Sequence, residues 1–287
     1  MISISILGAG KLGTHLGFAL LKKGYPIKAI SCKTSQSARE SAELIGQGQI
    51  FTDNSQAARE GELIIICLPD GEISKVVKEL SSSSLSWEGK YVFHCSGLLT
   101  SDLLTPLKKK GALTASFHPI QSFAQKKPDE KKFKGIYFGI EGEKEALTLA
   151  KKIIRHLEGK YLILSKKNKP VYHLACTIAS NLLIGILNLA MELMKEINFS
   201  GELAFQSLLP LIQETIENAD KLGVKSALTG PLVRGDINTI KSHLEALKKK
   251  PNELRIYREL SLYALNITQS ELNSTSVKSL KNLLSHK

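Results

Sequence analysis

Arginine and aromatic residues are scarce in this chain of 287 residues, which has one tryptophan and only 6% aromatic residues in all. The scarcity bears on its charge of +12, which comes largely from lysines in short clusters, Lys108 to Lys110, Lys131 and Lys132, and Lys248 to Lys250. Nucleic-acid surfaces interleave cations with stacking aromatics, and nothing of that kind is present. The sequence therefore predicts no nucleic-acid partner, but a solvated basic surface that attracts an anionic small molecule. Cysteine is sparse as well. Cys32, Cys67, Cys95 and Cys176 lie far apart, with no CxxC pair and no histidine at zinc-ligand spacing. Free, buried thiols in a reducing, cytoplasmic setting and no metal are expected. The apolar run in "MISISILGAG" is too short for a secretory signal. One long uncharged run, Leu174 to Met191, reaches the lower limit of a membrane span, but Thr177, Ser180, Asn181 and Asn188 interrupt it. A buried helix of a soluble protein is the expectation there. No internal repeat or low-complexity tract stands out.

What the chain does have is ordinary globular composition, 43% hydrophobic and 23% charged, with length enough for two domains. In the first half, strand-like runs at Ile2 to Leu7, Ile27 to Cys32, Leu63 to Leu68, Tyr91 to Cys95 and Leu113 to Phe117 alternate with helical patterns at Leu12 to Lys23 and Ser37 to Ile45. "GIYFGIEG" and "KYLIL" read as late strands flanking a helix from Glu143 to Leu157, and Ser81 to Ser84 as a loop. Such alternation predicts an α/β fold, a doubly wound parallel sheet with crossover helices. From Pro170 onward the periodicity is helical almost throughout, and Pro170 suits a first helical turn, where its missing N–H costs nothing. The expected domains are 1–167, dinucleotide-binding, and 168–287, all-helical, for substrate and dimerisation.

"SISILGAGKLGTHL" places Gly8, Gly10 and Gly13 directly after a strand and at the opening of a helix. In that context GxGxxG is informative. Gly8 allows a tight turn, Gly10 lets backbone approach a pyrophosphate, and Gly13 permits close helix-to-strand packing; Lys11 and Leu12 sit at the helix N-terminus, whose free N–H groups would meet the phosphates. An acid at the end of the second strand, the usual partner of the NAD ribose, is absent. "AISCKTSQS" offers Ser31, Lys33, Thr34 and Ser35 instead, a cation with hydroxyls that favours a 2′-phosphate and so NADP(H). Leu68, Pro69 and Asp70, at a strand's carboxyl end, either border the adenosine side of this cofactor or form a plain strand-ending turn.

Beyond the cofactor loop lie three polar groupings. "FHCSGLLTSD" sets Ser96 after one strand, "SFHPIQSF" sets His118 and Gln121 after the next, and "KPVYHLACTIASNLL" carries His173, Thr177 and Asn181 four residues apart. On a regular helix those three fall within roughly an 80° arc. Reduction of a carbonyl leaves an oxyanion that needs a proton, and imidazole is suited to supply one, so His173 and His118 both qualify as donors. A further loop, "ALTGPLVRGDINTI", holds Arg234, which either clamps a substrate carboxylate or contacts Asp236 within the loop.

"GAGKLG", "HCSG", "FHPIQSF", "YHLACTIASN" and "ALTGPLVRGD", in this order, resemble the Rossmann-like oxidoreductase family whose helical C-terminal domain is of unknown function. That family is similar to 6-phosphogluconate dehydrogenase, ketopantoate reductase and pyrroline-5-carboxylate reductase. The resemblance implies an N-terminal dinucleotide-binding domain, a helical domain that completes a homodimer, and a small-molecule substrate. Ketopantoate reductases carry Lys, Asn and Asn at the positions of His173, Thr177 and Asn181. The change at His173 leaves the donor open, with Lys169 one turn earlier as another choice. His118 resembles the histidine of the prephenate dehydrogenase "HPM" motif, and Ser96 the substrate-contacting serine of hydroxyacid dehydrogenases. The resemblance thus implies an NADPH-dependent oxidoreductase acting on a small 2-oxo acid, ketopantoate-like, or a related carbonyl compound. In that reading Asn181 and Ser96 position the substrate, with Thr177, Gln121 and Arg234 binding it. Two alternatives are an imine reductase similar to pyrroline-5-carboxylate reductase, suggested by the "TGP" loop, and a non-catalytic NADPH-binding regulator, suggested by the missing lysine.

Overall fold

The computed structural model describes residues 1–199 and 201–285, which form two compact units, Met1–Leu182 and Leu183–Lys287. The first unit is built on strands β1 (Ile4–Leu7), β2 (Ile27–Ser31), β3 (Gln49–Phe51), β4 (Leu63–Ile66), β5 (Tyr91–His94), β6 (Leu113–Pro119), β7 (Tyr137–Gly142) and β8 (Lys160–Ile163). They form one sheet in the order β3-β2-β1-β4-β5-β6-β7-β8. Every pairing is parallel except β6 with β7. The connecting helices are α1 (Lys11–Lys22), α2 (Ser35–Ile45), α3 (Asn54–Glu60), α4 (Asp70–Ser82), α5 (Thr105–Lys108) and α6 (Lys144–His156).

The central strands β1, β4, β5 and β6 are covered on both faces, which is why they read as continuous apolar runs rather than alternating ones, whereas the edge strands β3 and β8 are largely exposed. In β4, Leu63 and Ile65 enter one hydrophobic layer while Ile64 and Ile66 enter the other, all fully buried. Each such side chain contributes about 1.5–3 kcal/mol on removal from water. Chain order reverses at β1, which lies between β2 and β4, and at this switch point the carboxyl ends of the strands open into a crevice.

The expected strands and helices are found, with four differences. First, β7 runs antiparallel to β6. Between them lies only a short 3-10 turn at Glu130–Phe133, and without a crossover helix a strand cannot return parallel. Second, β3, α3 and α4 correspond to no run singled out from the sequence. β3 has three residues and α3 seven, too short to show a period, and α4 opens at Asp70 with Pro69 before it, so Ser81 and Ser82 are its last turn rather than loop. Third, of the four free thiols only Cys95 is fully buried; Cys32, Cys67 and Cys176 are partly exposed. They lie at strand ends or on a helix facing a cleft, where one side of the residue stays open.

The fourth difference is the largest. The helical stretch that opens at Lys169 comprises α7 (Lys169–Thr177), a π-helical turn (Ile178–Leu182) and α8 (Leu183–Glu196). It was expected to be buried, yet its most apolar window is not buried within the chain. Its apolar pattern asks for a covering surface. By length and composition the stretch Lys166–Glu196 could also cross a membrane.

In the second unit α8 is followed by α9 (Gly201–Leu222), α10 (Val224–Ala227), α11 (Pro231–Arg234), α12 (Ile237–Ala246), α13 (Pro251–Thr268) and α14 (Ser274–Leu284). Its small core, Ile240, Leu265, Leu280 and Leu284, joins α12, α13 and α14.

Candidate active site

At the end of β1 the backbone turns through Gly8, whose φ of +87° and crowding by Leu68 leave no room for a side chain. The Gly8 N–H donates to Ser31 O at 2.9 Å, tying the turn to β2. Gly13 packs its Cα against Gly8 O, where a Cβ would come within 2.7 Å. Gly10 differs, because a Cβ there would meet nothing within 4 Å. Sterics inside the chain do not require glycine at that position, and α1 begins there with no side-chain cap on its free N–H groups. An open helix N-terminus beside a bare glycine fits a pyrophosphate. The adjoining cleft, about 740 Å³, is lined by Gly8, Ser31, Cys32, Lys33, Leu68 and Pro69, together with Asn54, Thr52 and the first turns of α4. The Ser31 hydroxyl is spent on Asn54 Oδ1 at 2.7 Å, a partner not anticipated from sequence. Lys33 is exposed at the cleft, and the exposed Ser35 opens α2, where Thr34 accepts the Ser37 N–H as N-cap. Lys11 and Asp70 are exposed at the openings of α1 and α4, and Leu12 is half-buried.

A second cleft, about 320 Å³, gathers residues far apart in sequence: His118 near the end of β6, Gln121 and Ser122 just beyond it, and His173, Cys176, Thr177, Ser180 and Asn181 on the α7 stretch. Five sequence candidates, His118, Gln121, His173, Thr177 and Asn181, thus line one cleft. Asn181 lies in the π turn, so the regular arc holds from His173 to Thr177 and is reset beyond; such turns recur at functional sites. The His118 and His173 rings stand 6.4 Å apart, and Gly97 lies between them. A Cβ on Gly97 would come within 2.6 Å of His173 Cδ2 and 2.9 Å of His118 Nε2, so the glycine makes the space into which both rings point.

Beneath this cleft is a buried polar floor. His94 Nε2 faces Thr100 O at 3.1 Å and Nδ1 faces the Ser96 N–H at 3.2 Å. A carbonyl only accepts and an N–H only donates, so His94 is the neutral Nε2–H tautomer. Burial first, and then the charge of Lys169, push its pKa down to about 3. The Ser96 hydroxyl accepts the Leu98 and Leu99 N–H groups at 3.2 and 2.9 Å, so this candidate caps the turn after β5. Lys169 is fully buried and donates to Ser96 O at 3.0 Å and to Ser116 Oγ. Burial lowers its pKa to about 8, against the opposing pull of Glu141, Asp70 and Cys95. It is therefore a floor residue and does not line the cleft.

Tyr172, which sequence reasoning passed over, meets His118 Nδ1 with its hydroxyl at 2.6 Å. Its ring packs over Gly139, where a Cβ would come within 2.4 Å of the hydroxyl. Burial raises the Tyr172 pKa, with the Cys176 thiol adding and the Gly139 N–H opposing. Burial, then Lys169 and His173, push His118 down to about 4, so its ring is neutral at pH 7. The signal available was position alone: Tyr172 stands beside His173, but nothing in the pattern shows that it reaches across to β6. Arg234 lies in the second unit, exposed at the end of α11. The Asp236 carboxylate caps α12 by accepting the Thr239 N–H and hydroxyl at 3.0 and 2.6 Å.

Residues 1–119 match the Rossmann-like domain family, and residues 136–264 match the family described as a domain of unknown function, DUF2520. The chain is a Rossmann-like domain joined to a DUF2520 domain. The DUF2520 match begins at 136, just before antiparallel β7, so it takes in the end of the sheet as well as helices. No curated protein matches in sequence. Among solved structures, a candidate NADP oxidoreductase from Bacteroides fragilis is 28% identical, with a TM-score of 0.78 over 92% of this chain and 98% of its own. A protein from Thermotoga maritima is 27% identical, with a TM-score of 0.71 over 93% of this chain and 99% of its own. A reductive aminase from Aspergillus terreus, in complex with NADPH and ethyl-5-oxohexanoate, is 18% identical, with a TM-score of 0.63 over 99% of this chain and 92% of its own; that likeness is one of fold.

Proposed function

We propose that the protein is an NADPH-dependent oxidoreductase that reduces a small 2-oxo acid or related carbonyl compound. The observation that carries this reading is the pair of imidazoles, His118 and His173, that meet at Gly97 in a cleft beyond the sheet whose first turn has the form of a dinucleotide loop. The resemblance to the candidate NADP oxidoreductase from Bacteroides fragilis supports it. Gly8, Gly10 and Gly13 with the α1 N-terminus would hold the pyrophosphate, and Lys33 with Ser35 the 2′-phosphate. Bound there, NADPH supplies a hydride to the substrate. His118 directs its outer nitrogen to the cleft and serves as hydrogen-bond and proton donor to the carbonyl oxygen, with His173 opposite it. Gln121, Thr177 and Asn181 offer amide and hydroxyl donors for the rest of the substrate. Among the residues lining this cleft there is no carboxylate, the group that would favour a cationic iminium, and so the carbonyl reading is preferred over the imine one.

The test is NADPH oxidation with a panel of 2-oxo acids, including ketopantoate, and cyclic imines, alongside NADPH and NADH titrations. Turnover of a 2-oxo acid that falls at least ~100-fold in His118→Ala is expected. Equal affinity for the two dinucleotides, turnover unchanged in both His118→Ala and His173→Ala, or reduction of imines alone would overturn it.

We further propose a soluble, cytoplasmic homodimer in which a second copy covers the row Val171, Leu174, Ile178 and Leu182, each more than half exposed. Lys169, His173 and Thr177 on the same stretch are tied to the sheet end or face the cleft, which suits a protein interface better than a bilayer.

A further inference from the structure

His118 poses a chemical problem that its neighbours answer. With an imidazolium titrating near 4, the ring holds no spare proton at neutral pH. A neutral imidazole that gives up its only N–H becomes an anion, which is costly beside buried groups unless the other nitrogen is protonated at the same time. That other nitrogen, Nδ1, lies 2.6 Å from the Tyr172 hydroxyl. A phenol is a stronger acid than a neutral imidazole N–H, and an imidazole nitrogen a stronger base than a phenol oxygen. The hydroxyl therefore donates and Nδ1 accepts, which places the ring hydrogen on Nε2, the atom that faces Gly97 and the cleft.

We propose that Tyr172 is a positioning residue that fixes His118 as its Nε2–H tautomer and passes its own proton to Nδ1 as Nε2–H is donated to substrate. This rests on the carbonyl-reduction reading. The step balances: a hydride from the reduced nicotinamide forms the C–H bond, and the carbonyl oxygen becomes an alkoxide. The alkoxide takes the Nε2 proton, Nδ1 takes the phenol proton, and the phenolate recovers one from solvent. One carbonyl, one hydride and one proton give one alcohol. An alkoxide is a stronger base than a phenolate, so the relay runs downhill even though burial raises the Tyr172 pKa. The charged and titratable groups around His118 are Lys169 below, His173 across Gly97, Tyr172 and Cys176 on α7, and His94 on β5. None of these is a carboxylate that would hold an imidazolium instead.

Imidazole 15N NMR on the full-length protein, with the His118 signals assigned by their loss in His118→Gln, reads the tautomer without turnover. The expected result is Nε2–H at pH 7 in the wild type and a mixture of both tautomers in Tyr172→Phe, which keeps the ring and its packing. Wild-type His118 as Nδ1–H, or an unchanged pure Nε2–H form in Tyr172→Phe, would overturn the inference. On a reduced substrate, Tyr172→Phe is expected to lower kcat at least tenfold with KM within twofold, and to turn a two-proton solvent-isotope inventory into a one-proton one. An unchanged kcat and inventory would overturn the relay. If no carbonyl is reduced by the wild type, the functional reading falls, while the NMR spectrum still decides the tautomer.

Discussion

Strand β4 and helix α7 treat the same residue types in opposite ways. β4 buries Leu63 completely, whereas α7 buries its lysine, Lys169, and leaves Leu174 55% exposed. In β4 both sheet faces are covered by helices of the same unit, so hydrophobic burial and backbone pairing reinforce each other. In α7 the inward side carries polar chemistry to the strand ends, and the apolar side looks outward. An apolar run thus reports that a surface is to be covered without saying by what.

The largest expected effect tests that contrast directly. Leu63→Ala is expected to cost about 2–5 kcal/mol in urea unfolding, since a cavity remains in a packed layer. Leu174→Ala in dilute, monomeric protein is expected to cost no more than about 0.5 kcal/mol. If a second copy covers α7, the cost of Leu174→Ala grows with protein concentration, and sedimentation shows weakened association. A concentration-independent loss as large as that of Leu63→Ala would show that the outward face of α7 is packed within a single chain.

The next effect concerns the cleft that α7 lines with the end of β6. Gly97→Val is expected to lower kcat/KM about 100-fold while leaving cooperative unfolding in place, because its side chain occupies the space between the two imidazoles and displaces them. Unchanged kcat/KM would mean that the reacting atoms lie elsewhere.

The same contrast explains what could be read from the sequence. The long strands, the glycine turn and the helical second half were legible because periodicity and glycine spacing are local properties, and His118 with His173 followed from strand and helix positions. Antiparallel β7 was not legible, since a strand's direction depends on whether a crossover helix precedes it. Tyr172 escaped for a related reason, and Lys169, named as a possible donor, was not foreseen as buried. Whether a tyrosine reaches an imidazole 54 residues away, or a lysine is buried under a serine carbonyl, depends on tertiary packing that no local pattern encodes.

The smallest effect isolates the one buried cation on α7. Lys169 lowers the pKa of both His94 and His118, but for each of them burial is the larger cause. Lys169→Met should therefore raise the His118 midpoint from about 4 without restoring the free value of about 6.5. The sign for stability follows from the depressed native value. Stability from neutral His118 is complete above about pH 6.5, where both folded and unfolded rings are neutral. It is lost as pH falls toward 4, because the unfolded ring takes up a proton first. With the native midpoint raised, unfolding free energy measured between pH 6.5 and 4 should fall less steeply in Lys169→Met than in the wild type. His118→Gln should flatten the same window by removing the group altogether. A Lys169→Met profile parallel to the wild type would show that the lysine acts only as a hydrogen-bond donor to Ser96 and Ser116, and that burial alone holds the imidazole neutral.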